Sequence, residues 1–130
     1  MIDSLPIQLV LAFSLATMAL PAAAAVPVHI TGNTTADDVL IKDIVQTITY
    51  YGDAFHCASP SDIRVSMLNS SMIPAALRKP SLNTSYEEWD AIFCGKTHAF
   101  FVTHWPDPAG GSFLAVTYPY PVGAPTATFR

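Results

Sequence analysis

The chain has 130 residues, 51% of them hydrophobic and only 12% charged, with 10 acidic against 6 basic side chains and a net charge of −4. Nucleic acid and anionic lipid both call for clustered Lys and Arg, so this balance excludes both as expected partners. The length excludes two domains of ordinary size.

Leu5–Leu20 is apolar but interrupted by Pro6, Gln8, Ser14 and Thr17, and Pro21 and the alanines Ala22–Ala25 follow it. A spanning helix needs about 20 consecutive apolar residues, whereas an export signal needs a shorter apolar region and then small side chains at the −3 and −1 positions. Ala23-Ala24-Ala25 meets that need, so residues 1–25 read as a signal peptide, although the only charge ahead of the apolar run is Asp3 where Lys or Arg is usual. The expected product has 105 residues (130 less 25), no membrane span, and a net charge of −3 once Asp3 is removed. Its expected location is the periplasm or the extracellular medium.

Residues 26–33 form a short extended lead-in. From Thr35 onward, Val39, Leu40, Ile44, Val45, Ile48 and Tyr51 recur at spacings of three and four, which predicts a helix from about Ala36 to Tyr51 with one apolar face. Thr35 and Asp38 resemble a capping box, and Gly52 marks the stop. Cys57 follows the helix exit, and Cys94 is the only other cysteine. An even count in an exported chain reads as a Cys57–Cys94 disulfide. The closed loop spans 38 residues, 57 through 94, which in the chain-entropy model stabilises the fold by roughly 3–4 kcal/mol. No Cys-x-x-Cys is present, so the expected role is structural.

Ser59-Pro60-Ser61 is turn-like and Ile63–Leu68 reads as a strand. Asn69–Ser85 reads as loop, with a helical turn at Ala75–Arg78. Three strands then follow at Tyr86–Phe93, Thr97–Trp105 and Ser112–Tyr118. A two-residue Gly95-Lys96 turn would pair Phe93 with His98, Ala91 with Phe100, Trp89 with Val102 and Glu87 with His104, giving one strongly apolar face. The tail from Pro119 carries three prolines and too few apolar residues to pack. The fold class is α+β: one long helix on an antiparallel sheet of about four strands, in two layers, with residues 26–118 as a single domain and 119–130 as a Pro-rich tail.

Trp89-Asp-Ala-Ile-Phe-Cys94-Gly95, followed by an aromatic-rich strand and Gly110-Gly111, resembles a Trp-x4-Cys-Gly hairpin found in small exported bacterial proteins of unassigned function. The resemblance implies export and the hairpin, and it brings no activity or ligand with it.

Candidate chemistry is sparse. Glu87 opposite His104 would form a cross-strand ion pair, which in an enzyme would orient a general base. His98 and His104 share a strand face but stand roughly 20 Å apart at about 3.3 Å per residue, too far to share a metal. There is no Gly-x-Ser-x-Gly, and both cysteines are committed to the disulfide, so no catalytic residue is assigned and neither cofactor nor metal is expected. Asn33, Asn69 and Asn83 each begin an N-glycosylation sequon, relevant only in a eukaryotic host. Trp105 and Tyr118 are candidates for an exposed aromatic binding patch. The leading expectation is a noncatalytic module that binds an envelope or secreted protein or a glycan. The alternatives are a small hydrolase or ligand-binding enzyme with a pocket at Glu87 and His104, and an inhibitor of a secreted hydrolase presenting the Trp105–Gly111 loop.

Overall fold

The computed structural model describes residues 28–127. The signal-peptide segment read at residues 1–25 lies outside the described residues.

The fold is α+β, with one helix and a five-stranded sheet. Strands β1 (His29–Gly32), β2 (Asp62–Met67), β3 (Ser85–Phe93), β4 (Lys96–Pro106) and β5 (Ser112–Thr117) lie side by side in chain order. β2 to β5 make the expected antiparallel meander. β1, expected only as an extended lead-in, pairs parallel with β2 from His29↔Asp62 to Gly32↔Val65, so the sheet is mixed and one strand wider than expected. A parallel neighbour requires a crossover, and helix α1 (Asp38–Tyr50) supplies it. β1 escapes a sequence reading because it has four residues, three of them exposed, and so shows no alternation.

α1 begins two residues later than the Thr35 signal suggests. Asp37 is the N-cap, its carboxylate accepting the Leu40 N–H at 2.8 Å, while Thr34 and Thr35 turn toward the sheet. Leu40, Ile44 and Ile48 repeat every four residues and are buried, whereas Val39 at the edge of that stripe is 70% exposed. They pack on Ile63, Val65, Trp89, Ala91, Phe93, Phe100 and Val102 from β2, β3 and β4. Each large side chain so buried contributes roughly 1.5–3 kcal/mol before entropy is counted. The helix tightens into a 3-10 turn at Tyr51–Asp53. Gly52 is needed there because a Cβ would lie 2.2 Å from the Cys57 carbonyl oxygen.

The Cys57–Cys94 disulfide is formed, with a Cα–Cα separation of 6.0 Å, and it ties the helix exit to the β3–β4 hairpin. The hairpin turn is Cys94-Gly95, both residues at positive φ (48° and 82°), so Phe93 pairs with Lys96 in place of the expected Gly95-Lys96 turn. Every predicted partner moves by two residues. Side chains alternate with a period of two, so the slip leaves the apolar face unchanged.

The second face of the sheet is also partly covered. Ile73, Tyr86 and Phe101 form a smaller core with Leu68, Leu77, Tyr120 and Ala124 around it. The tail therefore does pack: Tyr120 meets the Phe101 ring edge-on at 5.8 Å, which reverses the expectation of too few apolar residues. Among the described residues no helix is long and apolar enough to cross a membrane.

Candidate functional site

Glu87 and His104 do come together, but not as expected. Glu87 pairs with Val102 and His104 with Ser85, so the two are diagonal neighbours with His104 Nε2 3.5 Å from Glu87 Oε1. The pair is not a partly exposed surface bridge. Glu87 is 0% and His104 7% exposed, because the loop between β1 and α1 lies over them.

The contacts of Glu87 explain what that burial accomplishes. The Thr34 hydroxyl donates to both carboxylate oxygens at 2.9 Å, the Thr35 N–H to Oε1 at 3.0 Å, and Trp89 Nε1–H to Oε2 at 2.8 Å. Thr35 Oγ1 also donates to Ser85 Oγ at 2.8 Å and lies 3.3 Å from His104 Nε2. Burial alone would raise the Glu87 pKa. His104, the Thr35 amide, Trp89 and Thr34 outweigh it and hold the carboxyl below its usual range. A carboxylate saturated by donors from both a loop and the sheet is a rivet: it fixes the start of α1 and leaves no lone pair facing solvent.

Trp105 and Tyr118 do not share a patch. Trp105 points to the face away from α1, stacked on Phe113 at 5.6 Å with Lys79 Nζ 5.3 Å from its ring. Tyr118 lies on the helix side, 4.9 Å from the Phe100 ring and 5.1 Å from Phe55, and its hydroxyl is 3.1 Å from His98 Nδ1. The two lie on opposite sides of the sheet and both are half-buried, while Phe113 beside Trp105 is 46% exposed.

On the outer face of the sheet, ionisable groups line β1 to β3. A concavity of about 510 Å3 is lined by His29, Thr31, Asp62, Arg64, Asp90 and Thr97 among others. A second of about 670 Å3, lined by Asn33, Ser66 and Met67 among others, adjoins it through the shared Thr31 and Arg64. His29 Nδ1 lies 3.4 Å from Asp62 Oδ1, an exposed pair that contributes little to stability. Arg64 sits directly across the β2–β3 ladder from Asp90. Burial, then the adjacent Glu88 carboxyl, push the Asp90 pKa up to about 7, while Arg64 pulls it the other way.

This groove was not legible in the sequence, since one side of it is strand β1, which shows no alternation. The available signal was the alternation of Asp62 with Arg64 and of Glu88 with Asp90, which puts charge at successive outward positions of two neighbouring strands. Among the described residues no group of three or more His, Cys, Asp or Glu side chains is placed to hold a metal ion. Compared with known protein families, curated proteins and solved structures, the chain matches none.

Proposed function

We propose that the protein is an exported, noncatalytic binding module, and that the outer-face groove centred on Arg64 receives a polar segment of a partner protein from the same compartment. The carrying observation is the division of its ionisable groups. The buried acid–base pair, Glu87 and His104, is enclosed and engaged in holding the β1–α1 loop. His29, Asp62, Arg64 and Asp90 line a shallow groove of mixed charge beside β1, an edge strand of the sheet. An edge strand leaves backbone donors and acceptors unpaired along one side, and an extended peptide can use them while its side chains reach the groove. The disulfide supports an oxidising compartment.

The test is partner capture by the oxidised protein from the periplasmic or secreted fraction of its host, followed by titration with the identified partner. Arg64→Ala is expected to weaken binding by about ten- to a hundredfold, the loss of one hydrogen-bonded charge. Undiminished binding by that variant would reject the groove. Loss of a hydrolytic activity in folded His104→Asn would establish the enzyme reading.

A second reading, an inhibitor of a secreted hydrolase, is favoured by the β4–β5 loop. Asp107 N–H donates to the Gly111 carbonyl at 3.0 Å, Gly110 N–H to the Asp107 carbonyl at 2.9 Å, and Ala109 N–H to Asp107 Oδ1 at 2.9 Å, next to the half-buried Trp105 and the exposed Phe113 stacked on it. Binding abolished by Trp105→Ala and indifferent to Arg64→Ala would select it.

A further inference from the structure

We propose that Asn33, Asn69 and Asn83 each carry an N-linked glycan, so that one end of the sheet is covered by sugar. The inference rests on the export reading and goes beyond the binding role of the groove.

These are the only asparagines of the chain, and each begins a sequon: Asn33-Thr34-Thr35, Asn69-Ser70-Ser71 and Asn83-Thr84-Ser85. Ser and Thr make up 22 of the 130 residues, so random placement would give all three asparagines this spacing in about one chain in 200. The fold then brings the three together. Asn33 directly follows β1, Asn69 lies two residues beyond β2, and Asn83 lies two residues before β3. β1 runs parallel to β2 and β3 runs antiparallel to β2, so all three points fall at one end of the sheet, opposite the hairpin that holds Cys94. Thr35 and Ser85, the third residues of two sequons, are joined by their 2.8 Å hydroxyl bond. Ser70 and Ser71 of the remaining sequon share a concavity of about 230 Å3 with Leu82 and Thr84.

All three asparagines are exposed, as a bulky product requires. Asn69 Oδ1 accepts from the Ser71 N–H at 3.0 Å and the Ser71 hydroxyl at 2.8 Å, which leaves Nδ2, the atom that takes the sugar, out of that turn. Among the described residues no hydrogen bond engages the side chain of Asn33 or Asn83. The same end also leaves large apolar side chains in water. Met67 and Met72 are exposed within three residues of Asn69, and Leu82 is exposed beside Asn83. A hydrophilic glycan on the neighbouring asparagine shields each of them. Asn33 stands in the wall of the second concavity of the outer groove, whereas the first, between His29, Asp62 and Asp90, has no asparagine in its wall and stays open to a partner.

The donor is a lipid-linked oligosaccharide diphosphate in the secretory compartment of a eukaryotic host. Asn Nδ2 attacks the anomeric carbon and the N–C bond forms. The bond from that carbon to the diphosphate oxygen breaks, the lipid diphosphate leaves with the electron pair, and the amide gives up one proton.

The experiment is intact mass and peptide mapping of the protein purified from its native host, before and after peptide-N-glycosidase. The expected mass exceeds that of residues 26–130 by three glycans, and the enzyme leaves Asp at positions 33, 69 and 83. A bare chain that starts at Val26 with its disulfide formed overturns the proposal and leaves export standing. A bare chain that retains residues 1–25 overturns both. An asparagine found bare in every molecule overturns the assignment at that site. Asn33→Gln, Asn69→Gln and Asn83→Gln, secreted from a eukaryotic host, are each expected to lose one glycan. Thr35 and Ser85 are left intact in these variants, because Thr35 also holds Glu87. Stripping the glycans from the folded protein uncovers Met67, Met72 and Leu82 and is expected to raise its binding of an apolar fluorescent dye. Unchanged dye binding overturns the shielding role.

Discussion

Replacing Glu87 with Gln tests whether the buried carboxylate is a structural rivet. Gln keeps the volume but exchanges one oxygen for an NH2 group, while the Thr35 N–H at Oε1 and Trp89 Nε1–H at Oε2 are donors that cannot reverse. Whichever way the amide is turned, at least one buried donor then meets another donor. A hydrogen bond to a charged group contributes about 1.5–3 kcal/mol, and an orphaned buried donor costs about 1–3 kcal/mol, so the expected loss is about 2–4 kcal/mol. That is a large share of the roughly 5–15 kcal/mol available to a domain, and corresponds to a Tm lower by about 10–20 °C. Urea unfolding followed by Trp89 fluorescence reads the loss, since this indole is 0% exposed in the folded state. A pH series adds an independent readout. The folded pKa of Glu87 is depressed, so its stabilisation is present above the ordinary value of 4.5 and is lost as the pH falls through the folded value. Glu87→Gln should abolish that part of the acid sensitivity. A variant within about 0.5 kcal/mol of wild type, the size of an ordinary surface substitution, would refute the reasoning, as would an unaltered acid limb.

Other perturbations have definite expectations. Reducing the Cys57–Cys94 disulfide should cost roughly 3–4 kcal/mol, read as a lower urea midpoint with dithiothreitol than without it. Ile44→Ala removes a side chain that is 0% exposed beneath α1 and should cost about 2–5 kcal/mol in the same assay. Gly52→Ala drives a Cβ to 2.2 Å from the Cys57 carbonyl and should destabilise by more than 1 kcal/mol, whereas Gly95→Ala has open space and is limited to the roughly 1–2 kcal/mol of a left-handed backbone at φ 82°. Tyr118→Phe loses the hydroxyl contact with His98 and should cost about 1 kcal/mol, with the His98 ring signals shifting in the NMR spectrum.

Local pattern determined the parts of this protein whose signals repeat within a few residues. Leu40, Ile44 and Ile48 announce the buried face of α1 because a helix returns to the same side every 3.6 residues. The alternation in β3 and β4 announces which side chains meet that helix, and it survives the two-residue change of register because parity is all it encodes. Even the disulfide follows from two cysteines and the chemistry of an oxidising compartment.

Tertiary structure decided what depends on residues far apart in the chain. β1 becomes a strand through its parallel partner β2, which lies across the whole of α1, and with it comes one side of the groove around Arg64. Glu87 reads in sequence only as half of a cross-strand ion pair, because two strands cannot reveal that Thr34 and Thr35, more than fifty residues earlier, close over it. Trp105 and Tyr118 are near in sequence and on opposite faces of the sheet. The tail, too rich in proline to pair as a strand, packs because Phe101 and Tyr86 offer it an apolar seat that no local pattern in residues 119–127 could announce. Burial is a property of the assembled surfaces, and with it an ordinary carboxylate becomes a rivet at Glu87 while the Asp90 carboxyl is pushed up to about 7.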